Sequence, residues 1–143
     1  MKKLLLTLPL LALAATAALA GPQEDREALM KERAGLLKQI TPYAKGDSAF
    51  DATAVQALLV KLDQNAKRDS VDELFPEGSQ AGSEASPKIW EDKNAFKAEW
   101  TRYADATSAA VAAAPKDQAS LQMAVGAIGK ECGVCHQNFR VKK

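Results

Sequence analysis

The sequence predicts an all-α fold, an antiparallel up-down four-helix bundle, and three observations carry that prediction. Four stretches repeat apolar residues at helical spacing, no stretch alternates β-branched residues between turns, and the connections are short. Helices of similar length joined in this way each bury an apolar stripe against two neighbours.

The first residues stand apart from that bundle. Lys2 and Lys3 precede a nearly unbroken Leu/Ala run that ends in Ala18-Leu19-Ala20, the pattern of an export signal cleaved after Ala20. The apolar run is about half a bilayer span, too short for an anchor. Residues 1–20 are therefore read as a removed signal peptide and residues 21–143 as one domain of a periplasmic protein, with no stable membrane insertion.

The first helical stretch, from Gln23 to Lys45, places Leu29, Leu36, Leu37, Ile40 and Tyr43 near one side. Pro42 is expected to kink or shorten its end, and Gly46-Asp47 is the stop. Asp51 is a plausible cap for the second helix, whose stripe is Val55, Leu58, Leu59 and Leu62, with Leu74 and Phe75 extending that surface. From Pro76 to Ser86 the composition turns to Gly, Ser, Glu and Pro and reads as a surface loop. Ser86 as N-cap and Pro87 at the first helical position then start the third helix, with Ile89, Phe96, Trp100, Tyr103 and Val111 in helical rhythm and Pro115 as its end. In the fourth helix Leu121, Val125, Ile128, Cys132, Cys135 and Phe139 alternate steps of four and three and form one seam.

Charge and composition exclude some functions. The 19 basic residues fall to 17 without Lys2 and Lys3, against 18 acidic ones, so the mature chain has no basic footprint for nucleic acid. Two cysteines in a small exported protein suggest a disulfide, but a bridge between Cys132 and Cys135 closes too small a loop to restrain the unfolded chain.

The chemistry lies in Cys132-Gly133-Val134-Cys135-His136, the c-type haem attachment pattern. The two thiols lie about one helical turn apart, a separation that suits addition to two vinyl groups on one porphyrin edge, giving one haem c held by two thioether bonds at the C-terminal helix. His136, the one histidine of the chain, follows and can offer a ring nitrogen to the iron. A structural zinc site needs a fourth ligand that this cluster lacks. A thioredoxin-like pair belongs at a helix start after a strand, whereas this one closes a terminal helix. Gly126 and Gly129 cost up to about 1 kcal/mol each in a helix, and close approach by the haem plane or another helix is the expected compensation.

With this motif at the C-terminus, four helices and an N-terminal helix carrying Arg26-Glu27-Ala28-Leu29-Met30, the chain resembles the class II cytochromes c, the cytochrome c′ family. Thr41-Pro42, Lys45-Gly46, Pro87-Lys88-Ile89-Trp90 with Phe96, and Phe139-Arg140 also match, and the likeness covers all of residues 21–143. The resemblance implies Arg26 beside a haem propionate, Met30 on the distal face, Ser83 and Glu84 near the haem edge, and a homodimer through the first two helices. Arg26 and Met30 are one turn apart, so they project from the same face. Two readings follow. If the Met30 sulfur binds the iron, the site is low-spin and suits an electron carrier that meets redox partner proteins, the leading reading. If Met30 only packs, the site is five-coordinate and takes nitric oxide or carbon monoxide. No distal acid-base pair accompanies the motif, so the chain is not read as an enzyme.

Overall fold

A computed structural model describes residues 21–141; the signal segment expected at 1–20 lies outside the described residues. Among the described residues six helices form: α1 (Pro22–Lys45), α2 (Ala52–Lys67), α3 (Val71–Leu74), α4 (Lys88–Glu91), α5 (Lys93–Ala113) and α6 (Gln118–Phe139). The four long ones make the bundle as a closed ring, with α1 against α2 and α6, and α5 against α2 and α6. Among the described residues no strand forms, and the single β-bridge joins Ala85 to Arg140.

Helix ends follow local chemistry. α1 begins at Pro22, where a missing N–H costs nothing, and carries Glu24 and Asp25 at the positive end of its dipole. It runs through Pro42 to Lys45, so the proline does not shorten it. Proline removes one bond within the helix, while the Pro42 carbonyl accepts from the N–H groups of Asp47 and Ser48 at 2.9 and 3.2 Å. Gly46 closes the helix at φ 81°, a conformation that favours glycine. Asp51 caps α2 as expected, accepting from the Ala54 N–H at 2.9 Å. Asp117 caps α6 in a reciprocal box with Ser120.

Two expectations change. The third helix is not continuous from Pro87, because Asp92 leaves helical geometry at φ −138°, ψ 76° and separates α4 from α5. Its carboxylate accepts from the Ala95 N–H at 2.9 Å, so the break starts a new, capped helix. Ser86 still receives the Lys88 N–H on its hydroxyl at 3.4 Å, while its own N–H donates to the Phe139 carbonyl at 2.9 Å. Leu74 and Phe75 are buried, but not as an extension of the α2 stripe. A Ser70/Glu73 capping box starts the separate turn α3, which turns them into a different part of the core.

The core has two parts. One joins Leu36, Ile40, Val55, Leu59, Leu62, Tyr103, Ala110, Leu121 and Ile128 from all four long helices. The other joins Leu29, Val71, Leu74, Phe75, Ile89 and Phe96 where α3 and α4 cover the bundle, with Trp90, Trp100 and Phe139 packed on it. Its rings meet edge to face, Phe75 with Phe96 at 4.7 Å and Phe96 with Phe139 at 5.1 Å between centroids.

A candidate haem site between the two cores

The boundary between the two cores crosses three of the long helices. On α1 it falls between Leu29 and Leu36, on α5 between Phe96 and Tyr103, and on α6 between Cys132 and Cys135. Cys132 packs on the first core and Cys135 on the second. Both are half-buried free thiols. Burial pushes the Cys132 thiol up and the Cys135 thiol up to about 11. Both are therefore protonated at neutral pH, the opposite of the thiolate that a thiol-disulfide enzyme needs.

His136 follows at the exposed side of α6. Partial desolvation, then the positive charges of Arg140 and Arg33, hold its imidazole below the ordinary histidine range. That keeps the ring neutral near pH 7, the form in which it ligates a metal. The helix turn that carries it has open space beside it. A Cβ added at Gly126, Gly129 or Gly133 would meet nothing within 4 Å, so no neighbouring helix accounts for Gly126 and Gly129.

The residues singled out on α1 have separate surroundings. Arg26 is buried, and its guanidinium donates to the Leu74 carbonyl at 2.8 Å, the Ser79 hydroxyl at 3.0 Å and the Ser79 carbonyl at 2.9 Å, over the Phe75 ring. It ties the start of the loop to α1. Met30 is half-buried one turn further on, and its sulfur accepts from Arg33 Nη1 at 3.8 Å. Ser83 serves the loop itself, with its hydroxyl donating to the Gln80 carbonyl and accepting from the Ala85 N–H. Glu84 is brought to the motif's end of α6, where Arg140 Nε donates to its carboxylate at 2.7 Å and the Val141 N–H donates to its carbonyl at 2.8 Å.

The boundary also holds polar groups that the apolar pattern did not reveal. Arg33 and Glu99 are each 7 % exposed and Tyr103 is 4 % exposed. Arg33 Nη2, Glu99 Oε2 and the Tyr103 hydroxyl each lack a hydrogen-bond partner while buried. Orphaned polar atoms of this kind carry a desolvation cost and call for a partner. Their sequence signal is positional: Arg33 stands four residues after Leu29 and three before Leu36, and Glu99 three after Phe96 and four before Tyr103, all on buried stripes. Two thiols, a neutral imidazole, a thioether and buried unsatisfied donors around an aromatic wall fit a large planar, iron-bearing group with carboxylate arms. Among the described residues no three His, Cys, Asp or Glu side chains converge as for a metal ion.

Comparison with known proteins agrees with this geometry. The family described as Cytochrome C' matches residues 22–140. Cytochrome c-556 of Agrobacterium fabrum is 40% identical over 124 residues, covering 87% of this chain and 84% of that protein. Cytochrome c' of Rhodopseudomonas palustris is 36% identical over 121 residues, covering 83% and 81%. Among solved structures, cytochrome c' from Rhodobacter Spheriodes superposes with a TM-score of 0.78 at 31% identity, covering 85% of this chain and 96% of that one. A nitric oxide complex of a mutant cytochrome c prime from Alcaligenes xylosoxidans gives 0.76 at 28% identity, covering 86% and 98%. With the match running through nearly all of the bundle and a cysteine pair in the last helix, the chain belongs to the cytochrome c′ family and carries one covalently bound haem c.

Proposed function

We propose that this protein is an exported, periplasmic electron carrier whose haem is bonded to Cys132 and Cys135 and ligated by His136 on one side and Met30 on the other. The observation that carries the reading is the position of Arg33. It donates to Met30 Sδ at 3.8 Å from α1, and α1 packs against α6, which carries the motif; this supports Met30 and the motif sharing one site. When bound, the haem supplies a one-electron iron couple, and His/Met ligation gives a low-spin site with a raised potential. The chain's own residues do the rest. His136 is kept neutral for ligation, Arg26 fixes the loop that walls the pocket, and Phe75, Phe96, Trp100 and Phe139 exclude water from it. No catalytic role is assigned. Among the described residues no helix is long and apolar enough to cross a membrane. Redox partner proteins are its expected contacts, and the resemblance to class II cytochromes supports a homodimer through α1 and α2.

A second reading has its own support, because a solved structural relative is a nitric oxide complex. In that reading Met30 packs without ligating and the protein binds nitric oxide or carbon monoxide. Optical spectra of the oxidised and reduced protein, with and without carbon monoxide, separate the two. A low-spin spectrum with the near-infrared band of sulfur-ligated ferric haem, converted to high-spin in Met30→Ala, is expected. A high-spin parent spectrum that shifts readily with carbon monoxide would replace the electron-carrier reading by gas binding.

A further inference from the structure

No carboxylate among the described residues pairs with the buried charge at Arg33. Its Nε donates to Asn65 Oδ1 at 3.0 Å, Nη1 donates to the Met30 sulfur at 3.8 Å, and Nη2 has no partner. The guanidinium lies over the Tyr103 ring at 4.1 Å and the Trp100 ring at 5.1 Å. No ion pair among the described residues includes it. Arginine does not give up its proton in proteins, so this is a permanent positive charge at the boundary where the two cysteines stand. Burying an unpaired charge is unfavourable, and an aliphatic side chain would fill the same space without that cost. The aromatic faces soften the cost but do not cancel the field. The other buried charge nearby, Glu99, pairs through one carboxylate oxygen with Arg102 on its own helix and makes no ion pair with Arg33.

We propose that Arg33 raises the reduction potential of this cytochrome, standing beside the haem as a buried positive charge that no protein carboxylate pairs with and that favours ferrous over ferric iron. Oxidation places one more positive charge in the pocket, and a fixed cation in a low-dielectric site opposes that step. Its contact with the Met30 sulfur, and its place on α1 between Leu29 of one core and Leu36 of the other, accord with such a location, since Cys132 and Cys135 pack on the same two cores. The inference rests on haem attachment and holds whichever group is the sixth ligand.

The test is an equilibrium redox titration of purified holoprotein near neutral pH for the parent, Arg33→Gln, Arg33→Leu and Arg33→Lys, with spectra of both oxidation states. At a fixed ambient potential the ferric to ferrous ratio should rise about tenfold in the Gln and Leu variants, a midpoint lower by about 59 mV for one electron. Arg33→Lys, which keeps the charge, should stay within about twofold of the parent, or about 18 mV. Spectra unchanged in Arg33→Gln would show that ligation is intact. A neutral variant with unaltered spectrum and a midpoint within about twofold of the parent overturns the proposal, as does an equal fall in Arg33→Lys. Neutral variants that all change ligation, or that all fail to accumulate as holoprotein while Arg33→Lys succeeds, would make Arg33 a structural residue and overturn it as well. A high-spin parent spectrum would refute Met30 ligation alone and leave the expected shifts as stated.

Discussion

Arg26→Leu should cost about 3 kcal/mol of stability, and the loss should be concentrated in the segment that Arg26 holds. The guanidinium is buried and makes three hydrogen bonds, to the Leu74 carbonyl, the Ser79 hydroxyl and the Ser79 carbonyl, all within 3.0 Å. Hydrogen bonds to a charged donor contribute roughly 1.5–3 kcal/mol each, and a buried carbonyl left without a partner costs roughly 1–3 kcal/mol. The Leu74 bond is fully buried, so its loss carries the larger share. The two Ser79 bonds are part-buried, and water can replace them. Leucine also loses the cation over the Phe75 ring, about 0.5–1 kcal/mol, but regains apolar burial of similar size. The net is then close to 3 kcal/mol, or about a 10 °C fall in Tm for a domain of this length. Denaturant unfolding of the holoprotein measures it as a lower midpoint at unchanged slope. Amide exchange should accelerate across 74–86 while α2 remains protected. Arg26→Lys should recover part of the loss, because an ammonium can reach one carbonyl but cannot span both residues as the planar fork does. A loss below about 1 kcal/mol, or no change in exchange over 74–86, would refute the anchoring role.

Three more predictions follow from the same geometry. Cys132→Ala combined with Cys135→Ala should yield little folded holoprotein after periplasmic expression, and a native far-UV helix signal without haem would sink that expectation. Arg140→Ala should cost less than about 1 kcal/mol, because its pair with Glu84 is exposed, while the Ser86 to Phe139 and Val141 to Glu84 main-chain bonds carry the closure; a loss above about 2 kcal/mol by chemical denaturation would reverse that assignment. Burial pushes the Tyr103 hydroxyl up to about 12, so ultraviolet titration should show one tyrosine ionising far above the ordinary value. Since the unfolded chain loses that proton near pH 10 and the folded chain keeps it to about 12, stability should fall across that window by up to about 3 kcal/mol, and Tyr103→Phe should remove that part of the fall.

The long helices were legible because their apolar spacing is periodic and their ends carry local chemistry. Asp51 before α2 and Gly46 after α1 are examples whose side chain or backbone freedom acts within a few residues. The break at Asp92 was not legible. Ile89 and Phe96 are seven residues apart, two turns of an unbroken helix, and the interruption leaves both in the second core, so periodicity runs across it. Ser70 and Glu73 spell a capping box that the apolar pair Leu74-Phe75 obscured. The haem motif was readable because its chemistry needs contiguous residues. The Glu84 to Arg140 contact spans 56 residues, and no local pattern encodes such a pairing.

What sequence patterning hides most completely is a charge on a buried stripe, because the pattern assigns polar residues outward. Arg33 and Glu99 occupy inward positions of α1 and α5, and a closed apolar bundle would select aliphatic residues at both. Their level coincides with the place where the core divides and where Cys132 and Cys135 face different halves of it. A division of the core, orphaned polar atoms and two half-buried thiols at one level have a common explanation. The apolar clusters lie on either side of these groups, and a guest with both an apolar plane and charged arms would satisfy them. The two kinds of position should therefore respond differently to substitution: Leu29 and Leu36 should exchange among aliphatics at modest cost in stability, whereas a neutral residue at Arg33 between them should be read in the midpoint potential.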